Sequence, residues 1–459
     1  MALPPEEALA ATGATVRAAT PDDPDTRAAG LGRLTPRWVA LPESTEQVSA
    51  LMRAATEHDL AVVPAGGGSK LGWGPPPERC DLLLTTRRMD HVLEHAAGDL
   101  VARVEAGVRT EALAATLAAA GQELALDVPV EGATVGGTLA TATAGPRRLR
   151  YGTARDLLIG ITVVLADGTI ARSGGKVVKN VAGYDLGKLF TGSLGTLGVI
   201  TEATFRLHPL PAARAWITVT VPGPADLPDL AALAGSQTEP SAVEVDRPSA
   251  GGPLTLAALF EGVAAAGRAE AARALLGPAA VTGPEPPPWW GRAPGEEFLL
   301  ELRVRPAGAV PALAAVSRAA REAGDLPVHL RGSAASAVLH LALPADAAPA
   351  RAEAFVSALR SGLGAHGGRL VVWTAPADAA ARLDRFGPSG AATLMRRVKE
   401  RFDPDDRLSP GRLPASARPG PALEDPAPSG DRAPRGESVP AGHPAPPEGP
   451  GTQGEGERT

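Results

Sequence analysis

Two glycine-rich segments on either side of a β-hairpin pattern constrain this chain more than any other feature of its sequence. They read EGATVGGTLATATAGP (residues 131–146, the second glycine segment) and FTGSLGTLGVIT (residues 190–201, the third glycine segment). Glycine has no side chain to block close approach of backbone amides, and turns of this kind hold phosphate oxygens. Neither G-x-G-x-x-G within a βαβ unit nor G-x-x-x-x-G-K-[ST] occurs between residues 129 and 211. The pattern therefore predicts a cradle for a phosphate-bearing cofactor that is neither a Rossmann site nor a P-loop.

The hairpin pattern lies between these two segments. In DLLIGITVVLADGTIARSGG, apolar runs rich in Ile and Val flank an Ala-Asp-Gly turn. Such a turn between two β-type runs is typical of a hairpin. We therefore expect strands here and a short returning helix before the third glycine segment.

A further glycine-rich loop, PAGGGSK (residues 64–70, the first glycine segment), follows a predicted buried strand. Before it, the sequence predicts a strand over Trp38 to Leu41 and an amphipathic helix with Ser44 or Thr45 as its N-cap. Three glycines alone also suit a flexible turn. Together with the later segments, they indicate a second wall of the same cradle.

The segment GGKVVKNVAGYDLGKLFTGSLGTLGVIT resembles the vanillyl-alcohol-oxidase and p-cresol-methylhydroxylase (PCMH) family, and within it is similar to the E subunits of bacterial glycolate oxidases. This resemblance implies an α+β fold with a two-subdomain PCMH-type FAD-binding domain, in which backbone amides hold the pyrophosphate of FAD in an elongated cleft. It also implies these cofactor-binding residues: Pro64, Ala65, Gly66, Gly67, Gly68 and Ser69; Thr134, Gly136, Gly137, Thr138, Thr141, Gly145, Tyr151 and Gly152; and Gly195, Gly198, Val199 and Ile200.

Five regions are expected along the chain. Residues 1–33 form a loose lead-in, 34–211 the PCMH-type FAD-binding domain, and 212–392 a smaller α/β cap with antiparallel sheet and helices on one face. Residues 393–413 return to the FAD-binding domain, where Arg412 is expected near the cofactor. Residues 414–459 are rich in Pro, Gly and charge and contain no aromatic residue, which predicts a disordered tail.

Many members of this family link FAD covalently through a histidine in the first glycine segment or a cysteine near the second. This chain has Gly68 and Ser69 in the first glycine segment. Its single cysteine, Cys80, lies outside the first and second glycine segments. We therefore expect FAD to be bound non-covalently. No metal site is expected, because His329, His340 and His366 are isolated from other ligand-type residues. A lone histidine such as His340 on an apolar strand is typical of a core residue, and the sequence identifies no catalytic base.

Composition limits the partners. The net charge of -6 argues against a nucleic-acid partner, and one cysteine cannot hold an iron–sulfur cluster. The start shows no signal-peptide pattern, and no window has the 18 or so apolar residues of a membrane span. We expect a cytoplasmic protein, with any membrane contact made through partner subunits.

Two functions remain open at this point. The first is an FAD-dependent oxidoreductase, the E subunit of a glycolate oxidase-like complex, which oxidises a small 2-hydroxy acid (glycolate to glyoxylate) and works with a catalytic flavoprotein and an iron–sulfur partner subunit. The second is a flavin-binding or assembly subunit of such a complex that has no turnover of its own.

Overall fold

The computed structural model describes residues 3–20, 25–26, 31, 34–175 and 185–418. The first domain contains a four-stranded sheet in the order β1-β2-β4-β3 and a five-stranded sheet in the order β5-β6-β10-β8-β9. Its strands are β1 (Thr15–Ala18), β2 (Trp38–Leu41), β3 (Val62–Ala65), β4 (Leu82–Thr85), β5 (Val92–Ala96), β6 (Val101–Glu105), β7 (Gln122–Glu123), β8 (Leu158–Val164), β9 (Ile170–Gly174), β10 (Val199–Arg206) and β11 (His208–Pro209). Its helices are α1 (Pro5–Ala10), α2 (Thr45–Glu57), α3 (Thr110–Ala118), α4 (Val135–Thr141), α5 (Arg148–Tyr151), α6 (Ala154–Leu157) and α7 (Gly187–Phe190).

Local sequence accounts for the elements that lead into the glycine segments. The Ser44 hydroxyl caps α2 by accepting a hydrogen bond from the Gln47 amide at 3.2 Å. One face of α2 then buries Val48, Leu51 and Met52 in the core of the four-stranded sheet. The predicted hairpin is β8 and β9, which pair antiparallel. Helix α2 leads through β3 into the first glycine segment, and the hairpin lies between the second and third segments in the sequence.

The amino-terminal lead-in differs from the expectation of a loose segment. Strand β1 pairs antiparallel with β2, from Thr15 opposite Leu41 to Ala18 opposite Trp38. Leu9 on α1 is fully buried in the core that α2 also lines. The lead-in is therefore an edge of the first sheet over these residues, because one buried leucine and a paired strand are enough to fix short elements that sequence periodicity does not show.

The second domain is an eight-stranded antiparallel sheet in the order β15-β12-β14-β13-β17-β18-β16-β19. One face is apolar and packs beneath helices in a core that includes Phe260, Leu300 and Phe355. Its strands are β12 (Arg214–Val221), β13 (Ala242–Arg247), β14 (Leu254–Glu261), β15 (Val281–Gly283), β16 (Leu299–Arg303), β17 (His329–Ser333), β18 (Val338–Ala342) and β19 (Arg369–Val372). Its helices are α8 (Leu230–Ala234), α9 (Ala265–Leu276), α10 (Ala309–Glu322), α11 (Pro349–Leu363) and α12 (Ala377–Ala380).

The other face of this sheet is polar. Four neighbouring strands place Asp246, Arg331, His340 and Glu301 side by side across the sheet. Arg331 donates to Asp246 at 2.7 Å, and His340 lies 3.5 Å from Glu301. Strand alternation explains this arrangement, because successive residues of a strand point to opposite faces of the sheet, and here apolar and polar residues alternate. The sheet therefore presents ionisable side chains where it meets the first domain.

The chain returns to the first domain after the second. Helix α13 (Ala392–Phe402) precedes a segment in which Leu408 forms a parallel bridge with Val62 on β3. Residues 414–418, assigned by sequence to the tail, include a 3-10 turn at Ala415–Ala417, and Arg418 pairs with Glu78. The ordered chain thus continues five residues beyond the expected boundary, held by these contacts. The remainder of the predicted disordered tail lies outside the described residues.

Candidate functional site

The three glycine segments surround one cleft of about 670 Å³. Fourteen of the eighteen residues predicted to contact a cofactor line it: Pro64, Ala65, Gly66, Gly67, Gly68, Ser69, Thr134, Gly136, Gly137, Thr141, Gly195, Gly198, Val199 and Ile200. The lining is completed by Arg412, which was expected near the cofactor, and by five residues that were not predicted: Lys70, Leu71, Thr86, Ala140 and Leu194.

The first two glycine segments are packed so closely that side chains cannot be accommodated between them. A Cβ atom on Gly66 would overlap the Thr134 hydroxyl, and one on Gly67 would overlap the carbonyl oxygen of Gly132. On the far side of the second segment, a Cβ on Gly136 would lie 2.8 Å from that of Ala106. These glycines are therefore required by backbone packing, which brings main-chain groups of both segments to the wall of the cleft.

Helix α4 begins inside the cleft. The Thr134 hydroxyl caps it by accepting a hydrogen bond from the Gly137 amide at 3.2 Å. The nearest atom to a Cβ on Gly137 would be this same hydroxyl, at 3.2 Å, and no other atom lies within 4 Å. Gly137 thus lines the cleft with open space above it, where a larger side chain would project.

Two buried cations line the cleft. Lys70 is only 4% exposed, and its Nζ has no hydrogen-bond partner among the described residues. Burial lowers the pKa of Lys70 to about 8, although Glu111 opposes part of this shift. An unpartnered buried ammonium is costly unless an anion is close by. Lys70 therefore fits a phosphate-bearing ligand in the cleft, and its position directly after PAGGGS is a signal that the sequence already contained.

Arg412 is the second of these cations and is 2% exposed. Its Nη1 and Nη2 donate to the carbonyl oxygens of Leu71 and Trp73, both at 2.6 Å. Its Nε has no partner among the described residues, and burial lowers the pKa of the guanidinium to about 10. Arg412 therefore fastens the loop after Lys70 and adds positive charge to the same cleft.

Four predicted cofactor residues lie outside this cleft. Thr138 is on the buried side of α4, 2% exposed. Gly145 lines a second cavity, where a Cβ would lie 2.5 Å from that of Asp127. Gly152 has a φ of 80° and precedes the capping box of α6, in which Asp156 accepts from Thr153. Local packing or backbone conformation therefore accounts for the threonine or glycine at these three positions.

Tyr151, the fourth of these residues, joins the two domains. Its hydroxyl donates to Glu261 of β14 at 3.0 Å, and Arg147 donates to the same carboxylate at 3.3 Å. Arg214 adds a third hydrogen bond to Glu261 at 3.1 Å. Burial and the neighbouring Glu261 raise the pKa of Tyr151 to about 12, so its hydroxyl remains a donor. The side chain is therefore committed to holding the second domain in place.

Within the described residues no group of three or more His, Cys, Asp or Glu side chains is placed to hold a metal ion. A search of the same residues also finds no helix with the length and apolar character needed to cross a membrane.

Comparison with known proteins identifies the first domain. Residues 36–174 match the family model described as "FAD binding domain". The chain carries an FAD-binding domain of this family. This match confirms FAD as the cofactor of the FAD-binding domain, and the buried ammonium of Lys70 beside the glycine-lined wall fits its diphosphate.

Curated relatives match only part of this chain. The chain is 39% identical over 180 residues to glycolate oxidase subunit GlcD of Bacillus subtilis (strain 168), covering 39% of this chain and 38% of that protein. It is 42% identical over 171 residues to a D-lactate dehydrogenase of Archaeoglobus fulgidus, covering 37% of this chain and 38% of the relative. The chain therefore spans less than two fifths of the length of these curated relatives.

The fold extends further than this sequence similarity. A solved structure of p-cresol methylhydroxylase with substrate bound superposes with a TM-score of 0.64 at 18% identity, covering 84% of this chain and 89% of that chain. At this identity the likeness shows the fold alone. It confirms the α+β PCMH-type architecture expected from the sequence.

Proposed function

We propose that this chain is an FAD-dependent oxidoreductase that acts on a small 2-hydroxy acid, as the E subunit of a glycolate oxidase-like complex. The observation that carries the proposal is the unpartnered ammonium of Lys70. It lies in a cleft that is lined by the three glycine segments and by Arg412. The names of the relatives, glycolate oxidase subunit and D-lactate dehydrogenase, support 2-hydroxy acids as the substrate class.

The fourteen cleft-lining residues predicted from the sequence, together with Lys70 and Arg412, would hold FAD. Main-chain groups of the first and second glycine segments would contact the diphosphate, and Lys70 would supply a counter-charge in a buried position. Arg412 keeps the Leu71–Trp73 backbone in place through its two hydrogen bonds. FAD supplies the hydride-accepting chemistry that converts the CH–OH of glycolate into the carbonyl of glyoxylate.

The electrons removed from the substrate must then pass to an acceptor outside this chain. With one cysteine in its sequence, the chain has no thiolate set for an iron–sulfur cluster. We therefore infer that a partner subunit carries the cluster and that a catalytic flavoprotein completes the complex. We place this complex in the cytoplasm, with contact to the membrane made through the partner subunits.

Anaerobic reduction of the bound flavin tests this function. The purified full chain, loaded with FAD, is mixed with glycolate or D-lactate while flavin absorbance is followed. We expect bleaching by at least one of the two acids and turnover when an artificial acceptor is added. A flavin that remains oxidised with both acids would contradict an independent activity and favour the alternative, a flavin-binding or assembly subunit.

We also propose that the flavin is held without a covalent bond. No histidine or cysteine lines the cleft among the described residues. Cys80 is buried elsewhere, and burial, together with Asp81, raises the pKa of its thiol to about 12, which suppresses the reactive thiolate.

Acid precipitation is expected to release all of the flavin into the supernatant. The absorbance of supernatant and washed pellet measures the partition, with a flavoprotein of known covalent linkage as the control. Yellow colour that stays with the precipitated protein would contradict non-covalent binding.

A further inference from the structure

A second cavity of about 530 Å³ lies between the FAD-binding domain and the polar face of the eight-stranded sheet. One wall consists of Pro129, Val130 and residues in the stretch Ala144–Arg148, shortly after helix α4. The opposite wall contains Glu244, Arg331, Ser333 and His340 of the sheet, and Trp73 and Leu299 close the sides. The cavity is therefore small, polar on one side and formed by both domains.

Arg148 is a partly buried cation of this cavity that forms no salt bridge among the described residues. Its Nε donates to the carbonyl oxygen of Gly145 at 3.1 Å, and its Nη2 donates to that of Ala144. Among the described residues it forms no salt bridge within 4.0 Å, unlike its neighbour Arg147, which pairs with Glu123, Asp127 and Glu261. Burial lowers the pKa of Arg148, and the carboxyl groups of Glu301 and Glu244 oppose part of this shift without forming a salt bridge with it. A buried guanidinium in this state favours binding of an anion.

Arg331 is also in the cavity but is already engaged. Its Nε donates to Asp246 at 2.7 Å, and its Nη1 donates to the carbonyl oxygens of Arg292 and Ala293 at 3.2 and 3.0 Å. Its charge is therefore balanced inside the second domain. Arg292 also lines the cavity but is exposed to solvent, so Arg148 is the less exposed guanidinium that is available to a ligand.

Glu244 adds a second polar group. It is 6% exposed, lies opposite Ser333 on the neighbouring strand, and its Oε1 has no hydrogen-bond partner among the described residues. Burial raises the pKa of Glu244 to about 8, against the opposing effects of Arg148 and Ser333. At neutral pH the group is therefore largely protonated. In its protonated form Glu244 offers a hydrogen bond to a ligand.

We propose that this second cavity is the substrate site, in which Arg148 binds the carboxylate of a small 2-hydroxy acid and Glu244 hydrogen-bonds an oxygen of the same molecule. The substrate class rests on the proposed function, and the site itself rests on the cavity and its unpaired guanidinium. Trp73, Val130 and Leu299 supply apolar surface for the short carbon chain of such an acid. Planar, bidentate recognition of a carboxylate is the interaction for which a guanidinium is best suited.

Oxalate tests this site because it has carboxylate groups and no CH–OH to be oxidised. Isothermal titration calorimetry is performed with the full chain loaded with FAD. We expect saturable binding to the unchanged protein and at least tenfold weaker binding to Arg148→Met, with equal FAD content. The matched control is Arg150→Met on the same short helix, where the side chain is 39% exposed and lines neither cavity. That control should change the affinity less than twofold.

Because Arg148 also holds the Ala144–Gly145 backbone, a second variant leaves this arginine in place. Val130→Trp adds volume to the cavity wall at a partly exposed position and should abolish oxalate binding while the protein keeps its FAD. Absence of oxalate binding by the unchanged protein would overturn the proposal. Unchanged affinity in Val130→Trp and Arg148→Met would overturn it as well.

The site and the proposed function fail in different ways. If oxalate binding depends on Arg148 but neither glycolate nor D-lactate reduces the flavin, the function is wrong and the anion site stands. If the flavin is reduced and both variants bind and turn over as the unchanged protein does, the function stands and this site is wrong.

Discussion

Gly137→Leu is expected to fold normally and to purify with little or no FAD. Gly137 is on a helix with ordinary helical backbone, and its added Cβ would meet only the Thr134 hydroxyl, at 3.2 Å. Leucine also has a higher helix propensity than glycine. The rest of the side chain would project into the cleft and block approach of the diphosphate. We expect FAD affinity to fall by at least tenfold, about 1.4 kcal/mol or more.

The matched control is Gly72→Leu. Gly72 follows the first glycine segment, is exposed, does not line the cleft, and has no atom within 4 Å of an added Cβ. Flavin absorbance per mole of folded protein is measured for both variants, with circular dichroism to verify folding. Full occupancy in Gly137→Leu would place the cofactor away from this segment and remove the main support for the assigned site.

Lys399→Met is expected to give the largest loss of stability. The Lys399 ammonium is fully buried and donates to Asp403 at 2.5 Å, and to the carbonyl oxygens of Thr196 and Leu408, both at 3.0 Å. Removing it would leave the buried Asp403 carboxylate without its cation. Breaking a buried pair in this way costs about 3–5 kcal/mol. FAD content should fall too, because Thr196 belongs to the third glycine segment and Leu408 leads to Arg412.

Urea unfolding followed by circular dichroism measures this loss. Lys188→Met is the control, because Lys188 is 46% exposed and pairs only with Asp185 at 3.2 Å among the described residues. A surface pair of this kind contributes about 0–1 kcal/mol. The double variant Lys399→Met, Asp403→Asn should recover part of the stability, since it also removes the uncompensated charge. A single variant that unfolds at the same urea concentration as the unchanged protein would refute the anchoring role of Lys399.

The sequence predicted the elements that depend on residues close together in the chain. The Ser44 cap, the hairpin around Asp167 and the glycine segments depend on residues a few positions apart, and all have the expected structure. The alternating strands of the second domain also indicated its antiparallel sheet, although not which polar residues would meet across it.

The features that the sequence did not predict depend on contacts between residues far apart in the chain. Tyr151 was assigned to the cofactor, but Glu261 lies 110 residues further along the chain and takes its hydroxyl. Similarly, the charge of Lys70 matters because burial isolates it, and burial is a property of the assembled domain. The pairing of β1 with β2 fixes an edge that its short sequence pattern does not reveal.

The return of the chain after the second domain has a consequence for biosynthesis. The cleft begins with Pro64 and is closed by Arg412, and Leu408 must reach Val62 on β3 to complete that wall. Synthesis proceeds from the amino terminus, so the second domain, which has its own apolar core, emerges before the closing segment. The wall that Arg412 completes can therefore form only after the second domain has been translated, and we expect the flavin to bind after that point.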